Sequence, residues 1–154
     1  MRVLFVCLGN ICRSPTAEGV FRQYLRNARL DSMISIDSAG TGDWHVGKPP
    51  DERACRAAAS RGYVLRGLTA RQVSSDDFRY FDLILAMDED NLRNLKALQP
   101  PNANAELDLF LRRFNLTEDA VPDPYYGGVD GFDHVLDLVE QGSAALLDEL
   151  RGRL

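Results

Sequence analysis

Val3-Leu4-Phe5-Val6 is a short unbroken apolar run, the pattern of a strand covered on both faces. Ser14-Pro15 then opens a helix, with Ser14 as the expected N-cap and Pro15 at the first helical position. Behind it Ala17, Val20, Phe21, Tyr24, Leu25 and Ala28 recur at helical spacing. A second strand is predicted over 34–38, ended by Ala39-Gly40-Thr41-Gly42, and a helix over 51–61 that Gly62 closes. A short helix over 74–80 precedes the clearest buried strand, 82–87, and Asp88 caps a helix running to about Leu98. A weaker strand over 106–109 follows. The final helix carries Phe132, Val135, Leu136, Val139, Leu146, Leu147, Leu150 and Leu154 on one stripe. Four βα units in series predict an α/β fold: a four-stranded parallel sheet with helices on both faces. Such sheets bind ligands beyond the carboxyl ends of their strands, and the irregular stretches 39–50 and 115–131 fall where they would flank that place.

At 154 residues the chain suits a single domain over 1–154 that buries its own core without staples. Its net charge of −5 disfavours nucleic acid and anionic membrane surfaces as partners. Three cysteines form no disulfide framework, and no apolar stretch is long enough for a signal core or a membrane span, so a cytoplasmic protein is expected.

The chemistry concentrates between the first strand and the first helix, in Cys7-Leu8-Gly9-Asn10-Ile11-Cys12-Arg13-Ser14. The Cys-x5-Arg spacing alone is weak, because Cys55 and Arg61 share it inside an Ala-rich helical stretch. There, six residues turn through about 600° and set the two side chains about 120° apart. Context separates the two pairs. A strand-to-helix loop presents consecutive N–H groups to an anion, and the helix dipole adds to their field. Gly9 permits a positive φ and Asn10 tolerates one, so residues 8–14 can curl with their amides inward. Arg13 can grip two phosphate oxygens with its planar fork. Cys7 would face the phosphorus, its thiolate favoured by amides, dipole and Arg13. The phosphate loop is therefore expected between the first strand and first helix, built from Leu8, Gly9, Asn10, Ile11, Cys12, Arg13 and Ser14.

Cys7-Leu-Gly-Asn-Ile-Cys-Arg-Ser-Pro-Thr-Ala-Glu resembles the N-terminal phosphate loop of the low-molecular-weight protein tyrosine phosphatases. Asp123-Pro124-Tyr125-Tyr126-Gly127 resembles that family's general-acid loop, and the likeness extends through Asp37-Ser38-Ala39-Gly40, Ala70-Arg71-Gln72 and 87–92. The resemblance implies Cys7 as nucleophile, forming a cysteinyl-phosphate, with Arg13 holding the transferring oxygens and Asp123 as general acid, then base. It implies that Ser14 donates to the Cys7 sulfur and that Asn10 locks the loop, with Ser38 and Asn91 as supporting partners. Trp44, Tyr125 and Tyr126 would form a rim around a phosphotyrosine ring. The implied partners are tyrosine-phosphorylated proteins, a tyrosine kinase or its substrates among them. Inorganic phosphate is the product, and no cofactor or metal is implied.

One departure stands out: the family often has a His just before Ala-Arg-Gln, where this chain reads Gly67-Leu68-Thr69-Ala70. Three other readings have different requirements. A thioredoxin-coupled arsenate reductase needs cysteines near 83–92, where there are none; an arginine phosphatase carries Thr at the position of Ile11; a pseudo-enzyme would lack Cys7, Arg13 or Asp123. Asp88 reads as a helix cap, Cys55 as a packing residue, and His45 and His134 as surface residues. Cys12, five residues beyond Cys7 in a curled loop, is either a packing residue or the second half of a reversible disulfide that makes the site redox-sensitive.

Overall fold

The computed structural model describes residues 1–125 and 127–154, so the expected rim role of Tyr126 falls outside the described residues. Four strands, β1 (Arg2–Cys7), β2 (Ser35–Gly40), β3 (Leu83–Ala86) and β4 (Glu106–Leu109), form one parallel sheet in the order β2-β1-β3-β4. The helices are α1 (Arg13–Asn27), α2 (Glu52–Ser60), α3 (Asp77–Tyr80), α4 (Glu89–Leu98) and α5 (Val129–Arg151), with a 3-10 turn at Arg112–Phe114. The order of elements follows the hydrophobic pattern. Element ends move by a few residues, and Leu154 lies beyond α5, exposed, rather than on its buried stripe.

The unbroken apolar run of β1 reflects two separate cores. Val3, Phe5 and Cys7 point into a cluster with Val20 and Phe21 of α1 and Val135, Val139 and Leu146 of α5. Leu4 and Val6 point the other way, toward Phe78 of α3 and Leu92 and Leu95 of α4. Each side chain is thus covered although neighbours alternate faces. Phe5 meets Phe21 and Phe110 edge-on at 5.9 and 5.4 Å, and truncating such a core ring costs about 3–5 kcal/mol.

The sheet order also fixes where a ligand can sit. From β1 the chain crosses to β2 on one side and then returns past β1 to β3 on the other. The connections leaving β1 and β3 therefore diverge at their carboxyl ends and open a crevice there. Cys7 pairs with Gly40 at the last rung of β1 against β2. A Cβ on Gly40 would lie 2.7 Å from the Leu8 carbonyl oxygen, so glycine lets the strand end abut the loop after Cys7.

Candidate active site

Cys7 ends β1 and is buried. Its Sγ lies 3.0 Å from Ser14 Oγ and accepts the Asn10 backbone N–H at 3.3 Å. Asn10, not Gly9, supplies the left-handed turn of the loop, with φ +57°. Glycine at position 9 serves a different need: a Cβ there would come within 2.9 Å of the His45 ring. The Asn10 amide then fastens the loop on three sides. Its Nδ2 donates to Ser14 Oγ at 2.8 Å and to Ser38 Oγ at 3.0 Å, while its Oδ1 accepts the Arg71 backbone N–H at 3.0 Å.

Two expectations change here. Ser14 does not cap α1; Cys12 holds the N-cap position, and no side chain accepts there. The Ser14 hydroxyl is drawn inward to the Cys7 sulfur and the Asn10 amide, partners no local cap can match once the loop has curled. Asn91 does not join Asn10 either. It closes a capping box with Asp88: Asp88 Oδ1 accepts the Asn91 backbone N–H at 2.8 Å and Asn91 Oδ1 accepts the Asp88 backbone N–H at 3.2 Å.

Asp88 has a second task that its cap role conceals. Its Oδ2 accepts from Arg13 Nη1 at 2.6 Å, and the same nitrogen donates to the Val121 carbonyl at 3.1 Å. Arg13 is only 3% exposed. Burial works against its charge, yet Cys7, Asp88 and Asp123 outweigh that and hold the guanidinium firmly cationic. Its other terminal nitrogen lies 3.7 Å from Asp123 Oδ2. Asp123 in turn accepts the Tyr125 backbone N–H at 3.0 Å on Oδ1, closing a turn at Asp-Pro that leaves Oδ2 toward the arginine.

These groups share a cavity of about 430 Å³ lined by Cys7, Leu8, Cys12, Arg13, Trp44, His45, Asp123 and Tyr125 among others. Trp44 is largely exposed at its mouth. His45, expected as a plain surface residue, faces the cavity and tilts toward the Tyr125 ring, centroids 6.4 Å apart. His134 is a surface residue, beside Glu118, and Cys55 packs in the core. Arg53 was not singled out by the sequence. Its guanidinium stands 5.4 Å from the Tyr125 ring centre and 4.9 Å from that of Phe132, held by both oxygens of Asp51. Asp51 caps α2 and its N–H bonds the Ile11 carbonyl at 2.8 Å, so one short segment ties the Cys7 loop to the Asp123 loop. Cys12 is buried beneath; burial first, then Asp51, pushes its thiol well above the usual range.

A buried sulfur on a curled loop, a fixed guanidinium and a carboxylate across a shared cavity can hold a tetrahedral dianion and attack its centre. Comparison with known proteins points the same way. A low molecular weight phosphotyrosine protein phosphatase of Schizosaccharomyces pombe is 47% identical over 143 residues, 91% of this chain and 91% of its own. A protein tyrosine phosphatase structure from Entamoeba histolytica superposes with a TM-score of 0.93 at 41% identity, covering 100% of this chain and 99% of that one. A drosophila arginine phosphatase structure also superposes, with a TM-score of 0.90 at 31% identity over 97% and 98% of the two chains. The family model described as low molecular weight phosphotyrosine protein phosphatase matches residues 2–153, so the chain belongs to that family.

Proposed function

We propose that the chain is one catalytic domain over 1–154 that hydrolyses phosphotyrosine in proteins through a cysteinyl-phosphate. The phosphoryl group sits in the loop of residues 8–14 with its oxygens toward the backbone amides and the Arg13 fork. Cys7 Sγ attacks phosphorus and the P–O bond to the phenol breaks, while Asp123 delivers a proton to the departing oxygen. In the second step water attacks phosphorus, Asp123 takes its proton, the S–P bond breaks, and the electron pair stays on sulfur as the thiolate, to which the Ser14 hydroxyl donates a hydrogen bond. The observation that carries this reading is the pairing of Cys7 and Ser14 at 3.0 Å on the floor of a cavity that Arg13 and Asp123 also line. Trp44 and Tyr125 on the cavity wall suit a flat aromatic ring on a long arm. Phosphorylated proteins are the substrates, a tyrosine kinase or its targets among them. All three cysteines are free thiols, which suits a reducing compartment such as the cytoplasm. Among the described residues no helix is long and apolar enough to cross a membrane.

The test compares turnover of phosphotyrosine, phosphoserine and phosphoarginine by wild type, Cys7→Ser and Asp123→Asn. Phosphotyrosine is expected to be preferred, and Cys7→Ser to be inactive while still binding vanadate. Asp123→Asn should slow poor leaving groups far more than nitrophenolate, which departs without a proton. Turnover by Cys7→Ser above a few per cent of wild type would remove the nucleophile. Preference for phosphoarginine would move the substrate class to that of the drosophila relative.

A further inference from the structure

The hydrogen bonds behind the loop do not end at Ser38. Its Oγ donates to Glu18 Oε1 at 2.7 Å, and Glu18 Oε2 accepts from Arg22 Nη2 at 2.5 Å. Glu18 is 3% exposed, on α1 one turn beyond Ser14, with Arg22 one turn further on. A buried carboxylate has a cost that a mere packing position would not carry.

We infer that Glu18 is a positioning residue, setting the direction of every hydrogen bond between itself and the Cys7 sulfur. A hydroxyl has one proton to give. Ser38 gives its own to Glu18, so toward Asn10 it can only accept. The Asn10 Nδ2 has two protons, and with Oδ1 held by the Arg71 N–H it gives one to Ser38 and one to Ser14. Ser14 is then an acceptor toward Asn10, and its single proton has two acceptors in reach, the sulfur at 3.0 Å and the Ala39 carbonyl at 3.4 Å, of which the sulfur is the nearer and, as a thiolate, the charged one. The negative end of the chain thus points the far end at Cys7. This inference rests on the proposed role of Cys7.

The groups that set the charge of Glu18 are Ser38 and Asp37 on β2 and Arg22 on its own helix; Arg71 holds Asp37 from the other side and is shared with Asp77. Burial is the largest influence and raises the Glu18 carboxyl; the Ser38 hydrogen bond opposes it, Asp37 adds to it, and Arg22 opposes it again. Protonating Glu18 frees the Ser38 hydroxyl to turn, and the order of the chain is lost.

The consequence falls on one step. When the S–P bond breaks, the electron pair collects on sulfur, and the Ser14 proton stabilises it there. In the forward attack the same proton favours the thiolate but blunts it as a nucleophile, so those effects oppose each other. Glu18→Gln presents an amide whose N–H can compete for the Ser38 oxygen. Its kcat on an aryl phosphate should fall roughly tenfold and KM should fall with it, leaving kcat/KM within about twofold, with a burst of released phenol ahead of the slow step. Ser38→Ala should show the same split, and the double variant should be no worse than either single one. Arg22→Met, at a half-exposed position, removes the opposing cation, so its acid-side loss of kcat should begin at higher pH than in wild type.

Equal losses in kcat and kcat/KM, no loss at all, or additive losses with Ser38→Ala would each overturn the inference. If Glu18→Gln does not fold, an unmoved acid limb in Arg22→Met overturns it instead. Cys7→Ser run in parallel keeps the two questions separate. Turnover there defeats the nucleophile assignment, whereas failure of the Glu18 split with an inactive Cys7→Ser defeats only the positioning role.

Discussion

Asp88 carries two loads that a pair of substitutions can separate. Its Oδ1 accepts the Asn91 N–H at the start of α4, and its Oδ2 accepts from Arg13 at 2.6 Å. Asparagine is as good an N-cap as aspartate, so Asp88→Asn keeps α4 closed while removing the charge beside Arg13. With Oδ1 on the Asn91 N–H, the asparagine turns its Nδ2 toward Arg13, donor against donor, so the charge-assisted hydrogen bond is lost outright and the exchange should cost about 2 kcal/mol of stability. Asp88→Ala also loses the cap, worth about 1 kcal/mol, and leaves Arg13 with only the Val121 carbonyl among its near-buried partners; its total should reach about 3 kcal/mol. Urea unfolding measures both. The kinetic effect should arise in both variants, because a guanidinium held on one side only no longer presents its fork at one angle. kcat/KM on an aryl phosphate should fall about tenfold in Asp88→Asn, with the affinity for vanadate falling in parallel. If Asp88→Asn matched wild type in kcat/KM and lost only stability, Asp88 would be a cap alone. Equal stability of the two variants would show that the cap contributes nothing.

Three further outcomes are expected. Peroxide should oxidise Cys7 to a sulfenic acid, and the Cys12 thiol should displace water from it to give a disulfide that dithiothreitol reverses. The yield should rise with pH because burial keeps Cys12 protonated, and Cys12→Ser should recover less fully; equal recovery would make Cys12 a packing residue only. Glu149→Gln breaks the two-oxygen clasp on Arg113, which holds the Glu149 carboxyl below its ordinary value, so this stabilisation is complete at neutral pH and is lost as pH falls through the depressed value. The variant should be about 1–2 kcal/mol less stable at pH 7, and urea midpoints should converge below about pH 4. Gly142→Ala should destabilise: helix propensity favours alanine by about 1 kcal/mol, but its Cβ would fall 2.6 Å from the buried Phe110 ring, and overpacking costs about 1–3. A raised melting temperature would show that the ring can yield.

What could be read from the sequence was what neighbours in sequence decide. Strand β1, the loop after it and the helix beyond are contiguous, so Cys7 and Arg13 were legible from local pattern, and Asp123 from likeness to a known loop. The polar residues were harder, because each has several acceptors of similar worth and only the tertiary fold selects among them. Ser14 has the chemistry of an N-cap, Asp88 serves as one, and nothing local says that the first will turn to sulfur or the second will also bind an arginine 75 residues earlier. Asn91 was matched to Asn10 by likeness, yet a backbone N–H three residues away was the nearer partner. Glu18 looked like any helical glutamate. Its one sequence signal was the spacing Ser14, Glu18, Arg22, which sets three polar side chains on one face of α1, the face that meets the end of β2. A polar stripe on a helix that must also bury an apolar one is costly unless it ends on something. Here the stripe ends, through Ser38 and Asn10, on the sulfur, so the same packing that makes Glu18 expensive is what lets it act over that distance.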